Sequence, residues 1–209
     1  MDSKKIFYTQ LNDNFVPLLR EQDFMGSGQH FKRIKDEVVH AINIQNSNYG
    51  GSCCINLGLH FTFLPVCWDS TKILDPKKIK EIDCEFRARL APKGKTDYSW
   101  KFDGGGLFGN TSKSIKHLNE TFNEVGNDFF ERFDSIESIT SLLEISLLKQ
   151  SDFIDSAAGI IMPVRGALTM ARIYKHLGNR ELQNKYATTG LQIIGNAKAL
   201  KIELERLAI

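Results

Sequence analysis

Hydrophobic and polar residues alternate one for one from Ser52 to Phe63. Cys53, Ile55, Leu57, Leu59, Phe61 and Phe63 fall on one side, and Ser52, Cys54, Asn56, Gly58, His60 and Thr62 on the other. A period of two places these sets on opposite faces of a strand. Residues 83–90 repeat the pattern, with Cys84, Phe86, Ala88 and Leu90 against Asp83, Glu85, Arg87 and Arg89. The two runs predict a sheet with one apolar face and one polar face carrying amides, a histidine and two arginines.

Around them the period changes. Ile6, Phe7, Leu11, Phe15, Leu18 and Leu19 recur at helical spacing and predict an opening helix over 3–22. Gly26-Ser27-Gly28 interrupts it, a strand follows over 30–35, and Asp36-Glu37 turns the chain into a second strand over 38–45. Gly50-Gly51 suits a turn needing positive φ before the alternating strand, which Pro65 ends. A loop rich in Asp, Lys and Pro leads to the 83–90 strand, and residues 97–102 read as the last one. These connections are too short for most parallel crossovers, so an antiparallel meander of four or five strands is expected.

From Ser112 onward four helices are expected. The first runs to about Phe133. The second starts at Asp134, which with Glu137 resembles a capping box. The third covers roughly 153–177, with Pro163 in its first turn or at a kink. Gly178-Asn179 ends it, and the fourth reaches about Arg206. Strands first and helices after is the α+β pattern. It predicts one domain over 1–209, in which 1–103 form the N-terminal helix and antiparallel sheet. Residues 112–207 then form a C-terminal helical layer that buries the odd-numbered face of the 52–63 strand.

At 209 residues the chain can bury roughly 70% of its unfolded surface in one core. A net charge of +2 lacks the clustered basic field of an electrostatic nucleic-acid binder, so no nucleic-acid partner is expected. Cys53, Cys54, Cys67 and Cys84 form no C-x-x-C pair, which predicts reduced thiols and no metal site. The first residues lack an apolar signal core and no run approaches a membrane span, so a cytoplasmic protein without a membrane partner is expected.

The run Asp103-Gly104-Gly105-Gly106-Leu107-Phe108-Gly109-Asn110-Thr111 is one residue short of a phosphate-cradling loop. Asn110 stands where the phosphate-binding lysine belongs. A glycine connector whose Thr111 or Ser112 caps the next helix explains it, and no cofactor is expected. Ala167, Ala171, Tyr174, Leu177-Gly178-Asn179 and Tyr186 have the spacing of one tetratricopeptide-type hairpin, but no second copy follows, so an ordinary helical hairpin accounts for them. The five histidines are scattered, and no nucleophile–base arrangement can be assembled from spacing.

The polar face is the richest candidate. Strand parity brings Asn43 and Gln45 beside Asn56, His60, Arg87 and Arg89, opposite Ile42 and Ile44. Guanidinium forks and amides together suit an anion or a polar protein surface. An ordinary solvated face with Arg87 and Arg89 paired to Glu85 or Asp83 is the simpler alternative.

The segments Asp23-Phe24 to Phe31, Asn43-Ile44-Gln45-Asn46-Ser47, Ile55-Asn56-Leu57-Gly58, Cys84-Glu85-Phe86-Arg87-Ala88-Arg89-Leu90 and Asp97-Tyr98-Ser99-Trp100 stand in a telling order. In order and spacing the first half of the chain resembles the bacterial family known as domain of unknown function 4304 (DUF4304). Met25-Gly26 and Tyr98-Ser99 depart from its pattern. The resemblance carries no enzyme activity. It implies a setting like that of small proteins accompanying polymorphic toxins, where an immunity protein neutralises a toxin by binding it.

A non-enzymatic binding protein with a toxin-like partner is therefore the first expectation. Asn43, Gln45, Asn56, His60, Arg87 and Arg89 are candidate contacts. Trp100 is either an aromatic anchor or a core residue. A small-anion site or enzyme with His60 as acid–base is the second expectation. A scaffold docking through the helices of 165–200 is the third.

Overall fold

In a computed structural model, residues 2–105, 110–132, 134–149, 154–156 and 159–208 are described. The chain is α+β, with an N-terminal helix, an antiparallel sheet and C-terminal helices. Helix α1 (Ser3–Glu21) is capped by Asp2, whose carboxylate accepts from the Lys4 amide. Phe7, Leu11, Phe15 and Leu19 repeat every four residues and are fully buried. Each such burial contributes on the order of 1.5–3 kcal/mol.

The sheet runs β1 (Met25–Ser27), β2 (His30–Lys35), β3 (Val38–Asn46), β4 (Ser52–Phe61) and β5 (Phe86–Arg89) in sequence order. All neighbours are antiparallel. A short β6 (Trp100–Lys101) pairs with β4 beyond the end of β5, so the two share one edge. The expected meander thus holds, with β1 an addition at the Gly26 break. Asp36 takes φ 51° in the two-residue turn between β2 and β3, a conformation Asp tolerates better than most residues. Gly50 and Gly51 have φ 76° and 71°, as the turn before β4 requires.

The odd-numbered face of β4 is the core face. Cys53, Ile55, Leu57, Leu59 and Phe61 are buried in one cluster with α1 and the helices that follow. Those helices are α2 (Thr111–Thr121), α3 (Asn127–Arg132), α4 (Ile136–Leu142), α5 (Ile145–Leu148), α6 (Pro163–His176), α7 (Arg180–Gln192) and α8 (Lys201–Leu207). Five residues of π-helix, Phe122–Gly126, join α2 to α3, where the sequence suggests one unbroken helix.

Several boundaries move for identifiable reasons. Asn110, rather than Thr111 or Ser112, caps α2 by accepting from the Lys113 amide. Residues 106–109 of the glycine run lie outside the described residues. Ser135, one residue beyond Asp134, caps α4 through the Ser138 amide. The expected helix over 153–177 is shorter: Pro163 opens α6, and upstream the chain forms the hairpin β7 (Ile154–Ser156) and β8 (Gly159–Ile161). A missing amide makes proline a natural first helical residue. Gly178, at φ 70°, ends α6, and Asn179 caps α7. The last expected helix divides into α7 and α8. Among the described residues no helix is long and apolar enough to cross a membrane.

Candidate functional site

The even-numbered face of β4 is divided in two. At one end, ladder register aligns four side chains from four strands: His30 opposite Asn43, Asn43 opposite Asn56, and Asn56 opposite Arg89. They form a continuous hydrogen-bonded row. Arg89 Nε donates to Asn56 Oδ1 at 3.2 Å, and Asn56 Nδ2 donates to Asn43 Oδ1 at 3.2 Å and to Gln45 Oε1 at 2.9 Å. Asn43 Nδ2 lies 3.3 Å from His30 Nδ1 and donates to the Gln29 carbonyl at 3.3 Å. Arg89 also meets Asp97 at 3.1 Å. Beside the row a cleft of about 250 Å³ opens, with Gln45, Ser47, Cys54, Arg89, Asp97 and Ser99 on its walls. Parity therefore brings Asn43, Gln45, Asn56 and Arg89 together.

The other end of the same face is covered. Residues 64–84 fold back over Val39, Ala41 and Gly58, and Ile79 and Cys84 pack there in a small apolar cluster. Two single 3₁₀ turns, Pro76–Lys78 and Glu81–Asp83, shape this cover. Asp75 caps the first by accepting from the Lys77 amide at 2.9 Å. Asp83 accepts from the Lys80 amide at 2.8 Å and from Trp68 Nε1 at 2.9 Å. Lys32, reaching from β2, donates to the carbonyls of Lys77 and Ile79 at 2.6 and 2.7 Å.

The cover encloses His60 and redirects Cys84, while Arg87 stays exposed but is paired to it. His60 is fully buried, with Nε2 3.1 Å from the Leu64 carbonyl. A carbonyl only accepts, so Nε2 carries the proton. Burial pushes the imidazole pKa down, and its Nδ1 has no hydrogen-bond partner among the described residues. Arg87 is held by Glu81, Nε to Oε1 at 2.5 Å, and Glu81 is itself buried in the cover. Cys84 leaves the parity of Phe86 and Ala88, because the 3₁₀ turn takes the chain out of the ladder; its sulfur lies on the Gly58 side. Burial raises that thiol far above its ordinary range.

The remaining expectations on charge and aromatics resolve similarly. Arg87 and Arg89 pair with Glu81 and Asp97, not with Asp83 or Glu85. Glu85 is buried against Arg165 of α6, which grips both its oxygens at 3.1 Å and also donates to the Cys67 carbonyl at 2.7 Å. Trp100 is 1% exposed and stands edge-on to Tyr98 in the core, so it is a packing residue. All four cysteines are free thiols. Among the described residues no group of three or more His, Cys, Asp or Glu could hold a metal ion.

The covering segment escapes a reading of its own residues, which look solvated. The face it covers does carry a signal: Val39, Ala41 and Gly58 are apolar or small at positions where a solvated face would be polar.

Residues 15–132 match the family described as Domain of unknown function (DUF4304). The chain belongs to the DUF4304 family. No curated protein and no solved structure matches it. The DUF4304 region holds the C-terminal end of α1 from Phe15 onward, all of β1–β6, the polar row, the cover and the helices through α3. Helices α4–α8 lie outside it.

Proposed function

We propose that this DUF4304 protein is a non-enzymatic binding protein that takes a protein partner on the open end of its polar face, as an immunity protein occupies a toxin. The observation that supports this reading is the prealigned row of Asn43, Asn56 and Arg89 with Gln45 beside it. Side chains already held by one another lose little further rotamer freedom on binding, a cost of about 0.5–1.5 kcal/mol for each loose side chain. Asn56 is buried and holds its neighbours in place, while the exposed Gln45 and Arg89 offer an amide and a guanidinium that suit a polar protein surface.

Arg89 already faces Asp97, so a free small anion is a weaker match for this end. The acid–base reading has lost its central group, because the His60 ring is enclosed. The helical hairpin of α6 and α7 packs its apolar stripe into the core, which leaves the scaffold reading without support. Four reduced thiols fit action in the cytoplasm.

The test uses the unaltered protein and the Gln45→Ala/Arg89→Ala variant as baits side by side in lysate of the native host. The captured partner is then purified and titrated against each by calorimetry. Loss of at least about tenfold in affinity in the variant, with unchanged melting temperature, supports the reading. Equal affinity overturns it.

A further inference from the structure

A second cavity, of about 490 Å³, opens where the chain after β4 meets α6 and α8. One side is apolar: Phe63, Leu64, Pro65 and Ile73 line it, and the Ile73 side chain is 60% exposed. The Phe63 ring lies flat on the His176 imidazole, with centroids 3.7 Å apart and planes 1° from parallel. His176 is tethered in turn to Glu37 at 3.0 Å, so this wall is a fixed slab.

The opposite side is cationic. Arg172, Lys175 and Arg206 stand there against one carboxylate, Glu203. Arg172 grips Glu203 with two hydrogen bonds, at 2.9 and 2.6 Å, and Arg206 approaches the same carboxylate at 3.4 Å. Glu203 is thus shared between two guanidiniums, and Lys175 makes no ion pair among the described residues. Three permanent cations facing one anion leave the wall positive. Lys175 and Arg206 sit at its solvent edge.

We propose that this cavity binds a small organic carboxylate with an apolar body, its tail against Phe63 and Ile73 and its charged head at Lys175 and Arg206. Small-molecule sites have this make-up: a few hundred Å³, largely apolar, with a small number of charged groups that fix orientation. An uncharged apolar ligand would leave the positive rim unused, and a bare anion would leave the apolar floor wet. The apolar wall lies inside the region matched to DUF4304 and the cationic rim outside it, so the site needs this chain's C-terminal helices to be complete.

Calorimetric titration with octanoate, 1-octanol and inorganic phosphate tests the proposal, on the unaltered protein and on the Lys175→Gln/Arg206→Gln variant. Both replaced side chains are exposed, and circular dichroism confirms that the variant is folded. The expected result is one octanoate per chain, with octanol and phosphate at least about tenfold weaker. In the variant octanoate weakens about tenfold and octanol changes little. Phe63→Ala weakens octanoate and leaves phosphate unchanged. Equal binding of octanoate and octanol, an unchanged octanoate affinity in the double variant, or no saturable octanoate binding overturns the proposal.

Discussion

At one end of the even-numbered face of β4, Cys54 adjoins an open cleft and Asn56 anchors the polar row beside it; at the other, Gly58 and His60 lie beneath residues 64–84. Both ends obey the same alternation, and both carry an arginine from β5. They differ in what the arginine meets. Arg89 joins a row of amides and an exposed Asp97, whereas Arg87 is clamped to a buried Glu81. The lesson is that parity assigns a face, but the neighbouring segment decides whether that face is surface or interior. A small residue such as Gly58 is what admits the cover: a Cβ there would stand 2.8 Å from Cys84 Sγ and 3.1 Å from Glu81 Cα.

The largest expected effect comes from a residue that belongs to neither end. Trp100→Ala removes a fully buried indole from the core and is expected to cost about 3–5 kcal/mol in urea unfolding. A cost below about 1 kcal/mol would return Trp100 to the surface. Next is Gly58→Ala, which forces the cover off its seat and is expected to cost about 1–3 kcal/mol; an unchanged midpoint would mean that the cover is loosely held.

His60 sharpens the comparison through pH. Burial lowers its folded pKa. Above the ordinary imidazole value of about 6.5 both folded and unfolded chains keep it neutral, and below that value the unfolded chain takes the proton first. Stability should therefore fall as pH drops below about 6.5, and His60→Gln should flatten that fall. His30 is shifted in the same direction, chiefly by burial and then by Lys80 and Lys32, so the readout is the difference in slope between variant and unaltered protein. Equal slopes would contradict a buried, neutral His60. The smallest effect on stability is expected at the open end: Arg89→Ala should move the midpoint by less than about 1 kcal/mol, its ion pair being exposed.

Much of the sheet was legible because periodicity survives where side chains face a continuous core. Ser52 to Phe61, the two-residue turn at Asp36-Glu37 and the odd-numbered core face all follow from alternation and turn chemistry. So does the row of Asn43, Gln45, Asn56 and Arg89, since one register sets them all. The cover was not legible, because Lys80, Glu81 and Asp83 carry the composition of a solvated loop while their polar groups are satisfied internally. The β7–β8 hairpin was missed because apolar runs such as 159–164 suit helix and strand alike. Trp100 could not be placed from a two-residue strand whose register depends on β4.

Two cysteines report directly on the two ends. Cys54 adjoins the open cleft, with its sulfur 3.7 Å from the Gln45 carbonyl, and Cys84 is sealed between the cover and Gly58. The decisive measurement is the rate of iodoacetamide labelling of each thiol in the native protein, read by peptide mass spectrometry, with and without the captured partner. The account predicts that Cys54 labels well ahead of Cys84 and that the partner protects Cys54. Labelling of Cys84 at the rate of Cys54, or a Cys54 indifferent to the partner, would contradict it.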